Sequence, residues 1–149
     1  RLSQLANLIH GNKQLFSTFL EAESIEKIEK LLMVSASAYW QTHYVFDEPG
    51  HCKQKNTGKQ MVRNIIINTI IPLIYTYGQV NKNEKLISKS MQWLSGLPAE
   101  KNSIVSGFEK LGIENKSAYD SQALLQLKQQ YCNQKRCLQC SIGNIILQG

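Results

Sequence analysis

The side chains in this chain best suited to chemistry are its thiols. Cys132-Asn-Gln-Lys-Arg-Cys137-Leu-Gln-Cys140 is a C-x4-C-x2-C pattern. A C-x2-C pair can grip one metal ion from a single tight turn, and a third thiolate at this distance can reach the same ion from a preceding helix end. Lys135 and Arg136 place positive charge among the three sulfurs. Structural zinc and iron–sulfur clusters commonly take four protein ligands, so a fourth must come from elsewhere. Cys52, with His51 beside it, is the candidate. The cofactor implied is zinc or an iron–sulfur cluster. The alternative reading is four small hydrophobes in a reduced protein. The C-x2-C spacing also suits a redox pair, although no βαβ pattern surrounds it.

The second candidate chemistry is electrostatic. The chain has 149 residues and a formal charge of +6, unevenly placed. Residues 1–50 hold four basic and six acidic side chains, whereas residues 51–149 hold thirteen basic and five acidic. Lys53, Lys55, Lys59 and Arg63 form a run with no acidic residue between positions 49 and 83, and Lys128, Lys135 and Arg136 surround the cysteine cluster. Such a basic half can neutralise phosphates and release counterions, the usual source of non-specific nucleic-acid affinity. The competing reading is a lysine-rich solvated surface. Asn and Gln together number 25, so the polar surface is more amide than ionic.

A third group is Trp40, His43 and Tyr44. It could form a base-stacking platform or a proton shuttle, or a core aromatic cluster around a hydrogen-bonded histidine. No phosphate loop, dinucleotide fingerprint, H-E-x-x-H or nucleophile elbow occurs.

The elements that must carry these groups read as helices. Leu2, Leu5, Ala6 and Ile9 follow helical spacing up to Gly11, and Leu15, Phe16, Phe19 and Leu20 give a second apolar face. Ser24 can cap a third helix with Ile25, Ile28, Leu31 and Leu32 inward. Residues 33–46 fit a short helix or an irregular aromatic plug, and 47–59 read as an exposed loop. A helix from Gln60 to Tyr77 is expected to end at Gly78 as a left-handed cap, with Pro72 bending it or relieving the preceding turn. Asn64 and Asn68 are expected to be buried hydrogen-bonders on it. Asn81 or Asn83 starts the next helix, with Leu86, Ile87, Met91 and Leu94 on one face and Gly96 closing it. Pro98 fits the first position of a helix carrying Ile104, Val105, Phe108 and Leu111 and ending at Gly112. Ser117-Ala-Tyr-Asp120 is a capping-box pattern that opens a helix with Ala123, Leu124, Leu127 and Tyr131 inward.

No stretch alternates in strand fashion, so the expected fold is all-α, a single domain over 1–149 of about seven to nine helices with a cysteine-bearing C-terminal loop. An apolar fraction of 42%, with 9 Gly and 3 Pro, excludes disordered and collagen-like chains. The longest apolar stretch, residues 65–75, is well short of the ~18 residues of a membrane span, so no membrane partner is expected. With no signal-peptide pattern and reduced thiols, the expected compartment is the cytoplasm. The chain opens on Arg1 within an apolar pattern and reads as the C-terminal part of a longer protein.

Several stretches together resemble one family: Arg1-Leu-Ser-Gln-Leu-Ala6, Tyr39-Trp-Gln-Thr-His-Tyr44, Ile67-Asn-Thr-Ile-Ile-Pro72 with Tyr77-Gly78, Leu97-Pro-Ala-Glu100-Lys-Asn102, Ser117-Ala-Tyr-Asp-Ser-Gln122, and the run from Tyr131-Cys132 to Ile142-Gly143. They resemble the C-terminal part of the family catalogued as domain of unknown function 2851. The resemblance implies a longer protein whose N-terminal half is the domain's partner and carries acidic and His motifs reminiscent of metal-dependent nucleases. It brings no established activity. The stretch from Leu124 through Cys132 to Ile142 is also similar to the iron–sulfur loop of helix-hairpin-helix DNA glycosylases, and Leu97-Pro98-Ala-Glu100 to the start of that family's hairpin. It departs from that family in a shorter first cysteine spacing, no fourth cysteine after Cys140 and no counterpart of the catalytic aspartate, Asp120 being a helix-start residue. The function expected is a nucleic-acid-binding accessory module of a larger, nuclease-like protein. The alternatives are a structural or protein-interaction domain packing on the N-terminal half, and a thiol- or metal-dependent enzyme.

Overall fold

The computed structural model describes residues 1–148. Among them the chain forms nine helices and one short hairpin, an all-α fold. The helices are α1 (Leu2–Gly11), α2 (Leu15–Glu21), α3 (Ile25–Leu32), α4 (Ala38–Thr42), α5 (59–80), α6 (Glu84–Gly96), α7 (Ser103–Lys110), α8 (118–132) and α9 (Ser141–Gln148). Strands β1 (His43–Val45) and β2 (Glu48–Pro49) pair antiparallel through a bulge. Two compact units are present, Arg1–Ser90 and Met91–Gly149.

The first unit is organised around α5. Val62, Ile66, Ile70, Ile74 and Gly78 are all buried, at strict intervals of four. An α-helix turns about 100° per residue, so each interval of four overshoots a full turn by about 40° and the stripe would wander round the helix. The segment Ile66–Ile70 is instead a π turn, in which the Ile71 N–H reaches back to the Ile66 carbonyl. A π turn holds one extra residue and returns the stripe to its face. Pro72 follows it directly, so its missing N–H falls at the junction and the helix continues. Buried Ile67 and Ile71, with Ile28 and Leu32 of α3, complete this core.

Gly78 is not the cap expected. It lies inside α5, buried, because the start of α6 crosses it: a Cβ there would stand 3.0 Å from Ile87 Cγ1, 3.1 Å from Ile87 N and 3.2 Å from Asn83 O. The helix runs on to Val80 and ends in a Schellman arrangement, with Asn83 N–H on the Gly78 carbonyl and Lys82 at φ 51°. Asn64 and Asn68 are exposed, and Asn68 Nδ2 donates to the Asn64 carbonyl one turn back. The stripe Leu2, Leu5 and Ile9 of α1 also faces solvent, and Leu8 is the buried residue of that helix.

In the second unit Trp93, Leu97, Val105, Ala118 and Leu124 are buried. Pro98 does not open a helix. It forms an extended bridge with Ser117, and α7 starts only at Ser103, capped by Asn102, whose side chain accepts from Val105 N–H at 3.0 Å. An asparagine N-cap satisfies an orphan donor that Pro98 could not. Helix α7 ends at Gly112, φ 81°, in a second Schellman arrangement that leaves Leu111 exposed. The box at the start of α8 is complete. Asp120 N–H donates to Ser117 Oγ, and Ser117 N–H to Asp120 Oδ2. Buried Ser121 accepts from Glu100 N–H at 2.8 Å and lies 2.8 Å from Asn115 Oδ1, tying the chain before α7 to α8. Ser90 and Trp93, rather than Met91, are the buried positions on α6.

Candidate nucleic-acid interface and cysteine turn

Residues 38–50 resolve the ambiguous aromatic stretch. The single turn α4 holds Tyr39 and Trp40, and the chain reverses through β1 and β2 over Asp47, which sits at φ 62°. Tyr39 organises the reversal: its hydroxyl accepts the Asp47 N–H at 3.0 Å, and its ring stacks on His43 at 4.0 Å and 6°. Trp40 meets Tyr39 and Phe46 edge-on, at 5.1 and 4.9 Å. His43 Nδ1 makes a 2.9 Å contact with the Tyr39 carbonyl, with the Thr42 hydroxyl at the same distance. Those contacts and the stacked ring fix the imidazole as part of the scaffold. Tyr44 and Phe46, by contrast, are 73% and 71% exposed. The group is an outward-facing aromatic hairpin rather than a core cluster.

The basic run continues from this hairpin. Lys53 N–H donates to the Gln41 carbonyl at 2.9 Å, which ties the segment back to α4. Lys55 Nζ donates to the His43 carbonyl at 2.7 Å and sits 3.4 Å from the centre of the Tyr44 ring. It caps one face of that ring as a cation–π partner. Lys53 and Lys59 are exposed and reach solvent. Arg63 is partly engaged: its side chain stays 42% exposed, and Nε lies 4.0 Å from Glu29 Oε1, an ion pair too long for a hydrogen bond. That nitrogen is buried without a hydrogen-bond partner. Asp47 and Glu48 occupy the hairpin tip, and the stretch from 49 to 83 is free of carboxylates. Lys27, Arg63 and Lys116 pair with carboxylates.

Lys89 does not stand out in its sequence context, because its role is set by a partner 67 to 69 residues away. Its Nζ donates to the Leu20 and Ala22 carbonyls at 2.6 and 3.0 Å, closing the C-terminal end of α2. Burial lowers its pKa from the usual lysine value.

In the second unit Lys128 is half-buried, Lys135 exposed and Arg136 engaged. Arg136 Nε donates to Gln139 Oε1 at 2.6 Å, and its guanidinium lies 5.7 Å from the Tyr131 ring. Helix α8 ends as a π turn, Leu127–Cys132, closed by a third Schellman arrangement in which Arg136 N–H reaches the Tyr131 carbonyl and Lys135 takes φ 53°. The chain then forms one 3-10 turn, Cys137–Gln139, before α9. Cys132 and Cys137 are exposed and Cys140 is buried; all are free thiols. Cys52, also free and exposed, belongs to the first unit. Among the described residues no three His, Cys, Asp or Glu side chains stand together in a group that could hold a metal ion. The exposure difference between Cys137 and Cys140 could not be read from the spacing, which treats the three thiols alike.

Two apolar faces remain in solvent: Leu2, Leu5 and Ile9 on α1, and Ile142, Ile145, Ile146 and Leu147 on α9. No helix among the described residues is long and apolar enough to cross a membrane.

A family model described as "Protein of unknown function (DUF2851)" matches residues 1–103, which include the aromatic hairpin and the carboxylate-free run. The capping box at Ser117 and the cysteine turn lie beyond the matched residues. No curated protein and no solved structure matches the chain.

Proposed function

The chain belongs to the family of proteins of unknown function DUF2851, and for it we propose a nucleic-acid-binding accessory role. The observation that carries this reading is the hairpin. Two solvent-facing aromatic rings, Tyr44 and Phe46, open onto a run whose exposed cations, Lys53 and Lys59, have no carboxylate within the run to neutralise them. Aromatic rings that stack bases beside cations that follow a phosphate backbone are the parts from which sequence-tolerant single-strand binding is built, at about 1–3 kcal/mol per stacked base. Lys55 contributes by holding Tyr44, and the partly exposed Arg63 stands beside Glu29, so the direct phosphate contacts fall first to Lys53 and Lys59. In the second unit Lys128 and Lys135 are the further candidates. The family's larger protein would supply any nuclease-like chemistry, with this module holding the strand.

The test is fluorescence anisotropy with a labelled oligonucleotide at several salt concentrations. Binding should weaken as salt rises. Lys53→Gln with Lys59→Gln should flatten the log–log slope by about 0.7 for each single-strand phosphate that the variant no longer neutralises. No binding at low salt refutes the reading.

A second reading, a domain that packs on another part of the same protein, is favoured by the apolar faces of α1 and α9. On that reading Leu5→Gln with Ile9→Gln leaves the helical content of this chain unchanged. The same pair abolishes capture of the remainder of the family protein supplied as a separate chain.

A further inference from the structure

We propose that Cys137 and Cys140 form a reversible dithiol–disulfide pair that exchanges with disulfide substrates, with Cys137 as the attacking sulfur and Cys140 as the resolving one. The geometry supplies each requirement. The two residues bracket a single 3-10 turn closed by Cys140 N–H on the Cys137 carbonyl at 3.2 Å. Residues three apart in such a turn have Cα atoms within about 7 Å, and disulfides span about 4.4–6.8 Å between Cα atoms. Cys137 is exposed and Cys140 is only 9% exposed, so an external disulfide can reach one sulfur and not the other. Leu138, between them, is 76% exposed and offers an apolar contact to whatever carries the disulfide.

The turn is also held in place. Cys140 immediately precedes α9, and its carbonyl accepts the Asn144 N–H at 2.8 Å. The bare face of Gly143 lies against the backbone of Cys137, where a Cβ would come within 2.6 Å of the Cys137 carbonyl oxygen. The first turn of α9 therefore clamps both cysteines at a fixed separation. Cys132 ends α8, and the left-handed reversal at Lys135 turns the chain back toward it, so the test must tell its thiol from the pair.

The exchange balances in two steps. The Cys137 thiolate attacks one sulfur of a disulfide R–S–S–R, forming a mixed disulfide and releasing R–S⁻, which takes up a proton. Cys140 then loses its proton and attacks the Cys137 sulfur, forming the Cys137–Cys140 bond and releasing the second R–S⁻. The protein dithiol is oxidised by two electrons and the external disulfide is reduced to two thiols. This inference stands independently of the nucleic-acid reading.

The test equilibrates the full chain with glutathione disulfide and glutathione, alkylates the remaining thiols and digests with trypsin. Cleavage after Lys128, Lys135 and Arg136 places Cys132 in one peptide and Cys137 with Cys140 in another. The expected result is an unalkylated 137–149 peptide lighter by two hydrogens, about 2 Da, with Cys132 alkylated. In Cys140→Ser the glutathione adduct should persist on Cys137. In Cys137→Ser, Cys140 should stay unmodified while far-UV circular dichroism is unchanged. The proposal is overturned by a Cys132–Cys137 cross-link, by equal adduct formation on all three cysteines, or by stoichiometric zinc or an iron–sulfur cluster on the anaerobically purified protein.

Discussion

The crossing of α5 and α6 at Gly78 turns on one missing methyl group, and Gly78→Ala tests it. In an ordinary exposed helix interior this change stabilises by about 1 kcal/mol through backbone entropy. At Gly78 the new Cβ meets three atoms at 3.0–3.2 Å, and two of them, Ile87 N and Asn83 O, are backbone. They cannot rotate away, so the start of α6 must move by a few tenths of an ångström. That motion also strains the Asn83 N–H bond to the Gly78 carbonyl, now 2.8 Å. Overpacking of this kind costs about 1–3 kcal/mol. Set against the entropic gain, the net is a loss centred near 1 kcal/mol, or about 3 °C in Tm for a chain of this size. Gly107→Ala is the control. Gly107 is helical and has nothing within 4 Å of its would-be Cβ, so it should gain about 1 kcal/mol. The two variants should therefore differ by about 2 kcal/mol, roughly thirtyfold in folding equilibrium. Urea titration followed by far-UV circular dichroism reads both, with m unchanged. If Gly78→Ala raises the midpoint as far as Gly107→Ala does, the close crossing is refuted.

Three further outcomes follow from local geometry. Lys82→Gly and Lys135→Gly should each raise the unfolding free energy read by urea titration by about 0.5–1 kcal/mol, because both lysines hold left-handed φ at Schellman ends; Gly112→Ala should lower it by a similar amount. Ser117→Ala, which dismantles the capping box, should cost about 1 kcal/mol in thermal unfolding, and Ser117→Thr should restore most of it. Asp120 is held below the usual aspartate value first by the Ser117 hydroxyl and then by the Lys116 N–H, so its stabilisation is present above its ordinary pKa of 3.8 and is lost as pH falls through the lowered folded value. Unfolding measured between pH 6 and pH 2 should show Asp120→Asn destabilised at the upper end and converging with the parent at the lower; a constant gap would refute the assignment.

Local signals in the sequence place the helices well where a side chain acts on its own backbone. Ser117 with Asp120, Gly112, Gly96 and Gly11 all mark the boundaries they announce. The failures come where a distant partner decides. Gly78 reads as a cap until α6 crosses it, and Pro98 reads as a helix start until Ser117 pairs with it. The intervals of four on α5 conceal a π turn, since periodicity assumes a constant twist. The apolar stripe of α1 is legible as helical, but which way it faces is not, because a hydrophobic pattern says what wants covering and not whether it is covered. At the candidate site the residue types are legible and their engagement is not. Lys55 and Arg63 look the same in sequence as Lys53 and Lys59, yet the first two are held by Tyr44 and Glu29.

The π turn in α5 also bears on where the chain tolerates a change of length. Asn68 and Thr69 are exposed within it. Removing either one closes the turn to ordinary α geometry, and the buried positions Val62, Ile66, Ile70, Ile74 and Gly78 then fall at intervals of four, three, four and four. That is the spacing an uninterrupted α-helix keeps on one face. Removing Arg63 or Tyr75 instead rotates part of the stripe by about 100° and exposes it. The centre of α5 is thus the point at which one residue can be removed while the buried stripe keeps its face.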